Sequence, residues 1–404
     1  MKSIVLHLGP DGRPAERRFA VELLAGPALA SAEMDCMEAG NDQWQGLTIA
    51  GTRAVSCYEL DDIFAAVTLR REIETRQLDR HGRFDESQIS WDISRPWVDL
   101  RAVELLGHAG SATPRSSAGP RFRVVITHDV DRTTGLEPMM LVKSVVGQLR
   151  LKPAWTPKPG VLQPKRWLQN LARLLEFEQD NGIGALYFLL SGPYGLRRYS
   201  SRYGIRWSQS REVVRLILEA GMRVGLHGSY YARDRNSYGD ELRRLEDVVG
   251  MTVTCHRNHY LRFDPRSAWH QLENAGISHD FSIGFNYRVG FRTGCASAHS
   301  TFDLSQGRKS SVVSVPLLFM DNVTAVGSST HALAELERAL EDVRRVSGCV
   351  ALLFHPENFL GDEKSFAFFR QVVRKCKDMG ADLSEMDHPS LPGAPASERM
   401  QLCE

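Results

Sequence analysis

Three ionisable side chains, His128, Asp129 and Asp131, close the stretch Arg123–Thr133, "RVVITHDVDRT", whose first half is apolar enough to be a buried strand. A buried charge without a partner is costly, so such a cluster needs a metal, a counter-charge or water. Alternate residues of an extended strand share a face, so Asp129 and Asp131 point together and His128 points away. Two carboxylates that close are not both ionised unless a cation stands beside one of them. A divalent metal held by a carboxylate and imidazoles, with room for water, is a common hydrolytic arrangement. It leaves the second carboxylate free to act as a base. An arginine nearby would keep that base ionised and oriented, and Arg257 is the candidate.

Suitable groups end other strand-like runs. "RVGLH" ends at His227, followed by Gly228 and Ser229, and "VTCHR" leads through Arg257 to His259 and Tyr260. "CVALLFH" ends at His355, with Glu357 two residues on. Several strand ends carrying His or Asp predict one shared pocket. His128 and His256 are read as supporting or packing residues, because alternation turns them away from Asp129 and Arg257.

The elements that must position these groups follow one pattern from Arg121 to residue 387. Strand-like runs ("FRVVIT", "ALYFLL", "RVGLH", "VTCHR", "VVSVPLL", "CVALLFH") alternate with amphipathic helical ones, several of which end at glycine. That alternation predicts an α/β fold with a parallel sheet, of a length that fits a barrel, whose strand C-terminal ends carry the chemistry. Residues 1–106 read as a small α+β unit with no clustered chemistry, including one helix over "ELDDIFAAVTLRREIETRQ". The small, polar, Pro/Gly-rich stretch Gly107–Pro120 reads as a linker and 388–404 as a disordered tail.

Composition narrows the function classes. The 404 residues are 25% charged with a net charge of +1, so no long-range field favours nucleic acid or an anionic membrane. No apolar run approaches the length of about 18 residues that a membrane-spanning helix needs. No signal peptide is recognised at the N-terminus, and seven scattered cysteines read as reduced thiols; the expected location is the cytoplasm.

In this order the residues resemble the polysaccharide deacetylases, carbohydrate esterase family four. Thr127-His128-Asp129-Val130-Asp131 is similar to a variant of the family's first motif, Thr-Phe-Asp-Asp. His227-Gly228-Ser229-Tyr230-Tyr231 matches the first histidine of the second motif, His-Ser/Thr-x-x-His. Arg257-Asn258-His259-Tyr260 is similar to the third, Arg-Pro-Pro-Tyr. Asp280-Phe281-Ser282 loosely meets the fourth, and Leu352-Leu353-Phe354-His355 meets the fifth, Leu-x-x-His. The resemblance implies an incomplete, distorted β/α barrel and a divalent metal, most often zinc. It also implies removal of N-acetyl groups from sugars, here in the making of a surface polysaccharide. Asp129 would be the base, Asp131 and His227 metal ligands, and Arg257 the partner of the base. The Tyr260 backbone N–H would face the oxyanion, and His355 would be the acid.

Two departures stand out: Arg132-Thr133 replaces the usual Gly-Pro, and Tyr231 stands where the second metal histidine is expected. His259 is the candidate third ligand, with Ser229 a weaker one and a water the bland alternative. Ser229, Arg262 and Asp280 complete the candidates as substrate-binding residues, and Trp155 and Trp207 could stack on a sugar. Two other functions fit the same residues. One is a catalytically silent carbohydrate-binding protein, and the other a metal-dependent hydrolase of a different amide or ester.

Overall fold

The computed structural model describes residues 4–8, 13–29, 34–38, 45–49, 52–108, 122–133, 164–195, 199–359 and 362–384. Most of Gly107–Pro120, Trp155 and the tail 388–404 lie outside the described residues.

The chain opens with β1 (Ile4–Leu8), α1 (Pro14–Leu29), β2 (Met34–Glu38), β3 (Gly46–Ile49) and β4 (Thr52–Ser56). The helices α2 (Cys57–Val67), α3 (Arg70–Thr75) and α4 (Trp97–His108) follow. The strands form a four-stranded sheet in the order β2-β1-β3-β4, with β1 and β2 parallel. Leu6, Phe19, Leu24, Leu47, Leu60 and Phe64 are buried together, and the barrel's Phe302 belongs to the same cluster. The rings of Phe19 and Phe64 meet that of Phe302 at 5.2 and 5.0 Å. The single helix expected over Glu59–Gln77 is broken. Leu69 adopts a left-handed conformation (φ 58°), and the Thr68 hydroxyl caps the Phe64 carbonyl at 2.7 Å. Beyond the break Glu72 forms a buried ion pair with Arg292 of the barrel at 2.6 Å. The stretch read as a linker begins inside α4, which runs to His108.

The remaining elements are β5 (Phe122–Val130), α5 (Pro164–Asp180), β6 (Leu186–Leu190), α6 (Ser208–Glu219), β7 (Arg223–Gly228), α7 (Ala232–Arg235), α8 (Tyr238–Val249), β8 (Cys255–Asn258), α9 (Ala268–Ala275) and β9 (His279–Asp280). After them come β10 (His299–Asp303), β11 (Arg308–Ser314), β12 (Leu317–Met320), α10 (Val323–Val326), α11 (Ser329–Arg345), β13 (Cys349–Phe354), α12 (Glu363–Asp378) and β14 (Ala381–Asp382). The helices bury one apolar face each. In α6 this face is Val213, Val214 and Ile217, and in α11 it is Ala332, Leu336, Ala339, Leu340 and Val343. Gly250 and Gly276 end α8 and α9 in left-handed conformations, as their sequence positions suggest.

The strand order is β10-β11-β9-β8-β7-β6-β5-β13-β12, with β14 also on β5. Every pair is parallel except β10 with β11. The run read as one strand, "VVSVPLL", is two. Its first half lies along β9 and its second along β13, with Val315-Pro316 between them. Val315 N–H donates to the Asp280 carbonyl (2.8 Å) and Leu317 N–H to the Ile283 carbonyl (2.9 Å). The sheet therefore curls round, and this bent segment carries the chain from β9's side to β13's, which makes an incomplete, distorted β/α barrel. Val125, Phe188, Phe281, Leu317 and Leu353 fill its interior, and a larger apolar layer lies between the strands and the helices. Among the described residues no helix is long and apolar enough to cross a membrane.

Candidate active site and metal centre

Because β13, β5, β6, β7 and β8 are parallel neighbours, their C-terminal ends share one rim. All nine residues of β5 are buried. Val124, Ile126 and Val130 join the apolar layer under the helices, while Val125 points into the barrel. The alternation puts Asp129 on the barrel side and carries Asp131 just past the strand end. His227 is the last residue but one of β7, Arg257 lies in β8 beside it, and His259 begins the short turn that follows. His355 follows β13.

Asp131, His227 and His259 come together, with one potential ligand atom of each lying within 4.8 Å of the others. Asp131 Oδ1 is 3.4 Å from Nε2 of both histidines. Asp131 Oδ1 and His227 Nε2 are buried and neither has a hydrogen-bond partner. His227 Nδ1 lies 3.0 Å from the Arg257 carbonyl, which holds a proton on Nδ1 and turns Nε2 toward Asp131. An orphaned carboxylate oxygen and an orphaned imidazole nitrogen, with a second imidazole beside them, fit a divalent cation with an open position. Burial works against the Asp131 charge, yet His259 and His227 hold its carboxyl well below the usual range. Burial, aided by the neighbouring charge of His227, pulls His259 below an ordinary histidine, despite Asp131.

Asp129 stands beside this cluster, with Oδ2 3.6 Å from His227 Nε2. Its other oxygen accepts from Arg257 Nη1 at 2.9 Å. The same nitrogen reaches the Thr127 hydroxyl at 2.9 Å, and Arg257 Nε donates to the Phe281 carbonyl at 3.0 Å. The guanidinium lies over the Phe188 ring at 4.5 Å and is fully buried. Burial pushes the Asp129 carboxyl up, but the charges of His227 and Arg257 outweigh it and keep the group ionised.

His355 sits across the cavity. Its Nδ1 and its backbone N–H both meet Asp321, at 2.7 and 2.9 Å, and Asn358 Nδ2 holds the same carboxylate at 2.8 Å. Burial disfavours the imidazolium, but Asp321 more than compensates and raises His355 well above an ordinary histidine. Glu357 lines the cavity with a buried, unpartnered Oε2. Burial and the negative charge of Asp131 push its carboxyl up to about 8. Tyr260 completes the rim in a left-handed conformation (φ 64°, ψ 15°).

The cavity of about 870 Å³ brings together Asp129, Asp131, His227, His259, Tyr260 and His355. The three residues expected to bind substrate do not line it. Ser229 gives its hydroxyl and receives its backbone restraint from buried Glu241, at 2.6 and 2.8 Å. Asp280 is fully buried and is spent on His256 Nδ1 (2.8 Å) and on the N–H and hydroxyl of Ser282. Arg262 is a strut to the carbonyls of His81 and Tyr230, both at 2.7 Å, and to Asp234. Trp207 leads into α6, 40% exposed, with its ring against Tyr194. His128 pairs with Glu178 at 2.7 Å on the helix side of β5, a supporting role.

Other lining groups carry no clear mark in the sequence. Asp79, His81 and Arg83 come from the N-terminal third, where no chemistry was expected, on a hairpin tied by the Asp79 N–H to the Arg83 carbonyl (2.7 Å). Asp321 could have been found, because the apolar run Leu317–Met320 ends in a carboxylate just as β5 does.

No family model matches the chain, and no curated protein matches it at a significant level. Solved structures do. A presumed polysaccharide deacetylase from Mycobacterium smegmatis is 16% identical over 66% of this chain and 88% of that one, with a TM-score of 0.45. The polysaccharide deacetylase Bc1974 from Bacillus cereus is 10% identical, covers 66% and 95%, and has a TM-score of 0.36. A pseudoenzyme of carbohydrate esterase family four from Bacillus anthracis is 12% identical, covers 68% and 66%, and has a TM-score of 0.34.

Proposed function

We propose that this chain is a metal-dependent hydrolase that removes the N-acetyl group from a sugar or sugar-containing precursor, in surface-polysaccharide biosynthesis. The observation that carries the reading is one pocket that joins the Asp131–His227–His259 cluster, an arginine-held carboxylate and a carboxylate-held histidine. A divalent cation, with zinc favoured, held by Asp131, His227 and His259 would supply a Lewis acid for the acyl carbonyl.

The chain's own groups then divide the proton transfers. Asp129, kept ionised beside Arg257, accepts the proton of the attacking water through Oδ2, the oxygen that Arg257 leaves open. The Tyr260 N–H faces the oxygen on which negative charge develops. His355 keeps a proton because Asp321 holds it from the far side, and gives it to the sugar nitrogen as the C–N bond breaks. The new C–O bond comes from water, so acetate and a free amine leave.

The test is acetate release from a panel of N-acetylated sugars and sugar nucleotides, with and without zinc and after chelation. Asp129→Asn should lower the rate about 10²–10⁴-fold while metal content stays near that of the parent. Loss of metal from that variant, or full activity in it, would overturn the assignment. A parent protein that binds metal and sugar but releases no acetate would favour the silent binding protein.

A further inference from the structure

We propose that Asp79 and Arg83, from the N-terminal third of the chain, are positioning residues for the oxyanion side of the pocket. They act by holding the Tyr260–Leu261 backbone. This rests on the reading of the Tyr260 N–H given above.

Tyr260 and Leu261 are consecutive non-glycine residues with φ of 64° and 49°. L-residues avoid this region, and such a pair persists only where the surroundings hold it. The surroundings here come from far away in sequence. Arg83 Nη1 donates to the Tyr260 carbonyl at 2.6 Å and to Asn286 Oδ1 at 2.7 Å. The other side of the guanidinium is fixed on Asp79 Oδ2, through Nε at 2.8 Å and Nη2 at 2.6 Å. A planar fork gripped on one edge presents its remaining donor in a set direction, which a lysine ammonium cannot do. Asn286 is gripped in turn, because its N–H and Nδ2 both donate to Glu86 at 2.8 Å.

The hairpin that carries Asp79 and Arg83 is itself docked. Arg262 Nε donates to the His81 carbonyl at 2.7 Å and Arg233 Nη1 to the Gly82 carbonyl at 3.0 Å. Gly82 turns with φ 69°, and a Cβ there would meet Arg233 Nη2 at 3.3 Å. Arg83 therefore bonds the carbonyl of the residue that carries the N–H in question, one residue from His259. An oxyanion donor works only if it is already aimed when charge develops. Loosening this peptide should cost turnover more than it costs metal or substrate binding.

The experiment compares the full-length parent with Arg83→Ala, Arg83→Lys and Asp79→Asn. Two readouts are taken: deacetylation kinetics with metal affinity, and hydrogen–deuterium exchange of the peptide containing His259–Phe263. Arg83→Ala should lower kcat about 10- to 100-fold, with KM and metal affinity within about threefold. The same variant should speed exchange of that peptide at least about tenfold. Arg83→Lys keeps one donor for the Tyr260 carbonyl and should recover part of kcat. Unchanged kcat and exchange in Arg83→Ala overturn the proposal, and so does a loss of metal affinity as large as the loss of kcat. If Arg83→Ala does not fold, Asp79→Asn, which keeps the side-chain shape, decides on the same criteria. A parent that releases no acetate overturns the deacetylase reading alone, and the exchange measurement then decides the clamp.

Discussion

His227 and His259 approach one carboxylate oxygen from the ends of two different strands, and the shared atom is what makes them a pair. Removing either leaves the same set one imidazole short. His259→Ala should therefore weaken divalent-metal binding about 10-fold or more, close to the effect of His227→Ala. Tyr231→Phe should change it little, because that ring packs against Tyr230 and under Arg235. Competition with a chromophoric chelator measures all three, and tight binding in His259→Ala would remove it from the ligand set. His355 makes a pH prediction. Its folded-state pKa is raised, so the stability its pairing contributes is full below the ordinary histidine value of about 6.5 and is lost as pH climbs through the raised one. The acid role follows the same sign, so activity should fall on the alkaline side. Asp321→Asn should move that alkaline limb to lower pH by about one unit or more, and an unmoved limb would assign it to another group. Asp129, Asp131, Arg257, His259 and His355 were legible because strand alternation and strand ends can be read from one sequence. Asp79, His81 and Arg83 were not, because nothing local links a polar hairpin to a barrel rim over 170 residues away.

At the scale of elements, amphipathic helices between apolar strands made the α/β class readable in advance. The errors fall where hydrogen-bond partners decide. A strand-like run does not reveal that Pro316 stands between two partners, with β9 on one side and β13 on the other. Nor does it reveal the antiparallel pair β10–β11, whose Phe302 joins the N-terminal core. The amphipathic pattern over Glu59–Gln77 carries no sign of the turn at Leu69 either. The bent segment at Pro316 can be tested at Gly284, just past the Ile283 carbonyl that accepts from Leu317. A Cβ there would lie 2.5 Å from the Leu317 carbonyl oxygen and 2.6 Å from its Cβ. Backbone cannot yield as a flexible side chain does, so Gly284→Ala should destabilise the fold by about 1–3 kcal/mol in urea titration. A midpoint equal to that of the parent would mean that the contact is looser than its geometry.

For the whole molecule, the interface between the N-terminal sheet and the barrel has the character of an interior. Phe302 completes the aromatic group of Phe19 and Phe64, and Glu72 reaches Arg292 with both side chains buried. Asp99 lies in α4's first turn, where it accepts the Ala296 N–H at 2.6 Å. A charge buried opposite Glu72 is tolerable only while that partner is present. These contacts predict an order of events during synthesis. The first strands and helices leave the ribosome long before Arg292 and Phe302 exist, so the early part of the chain waits with an unfinished core. A chain ended at Thr254 should be cleaved by protease within its first hundred or so residues at the rate of an unfolded chain, while the full chain resists. Equal resistance would mean that the early segment folds by itself. The expected outcome is a segment born first and folded last.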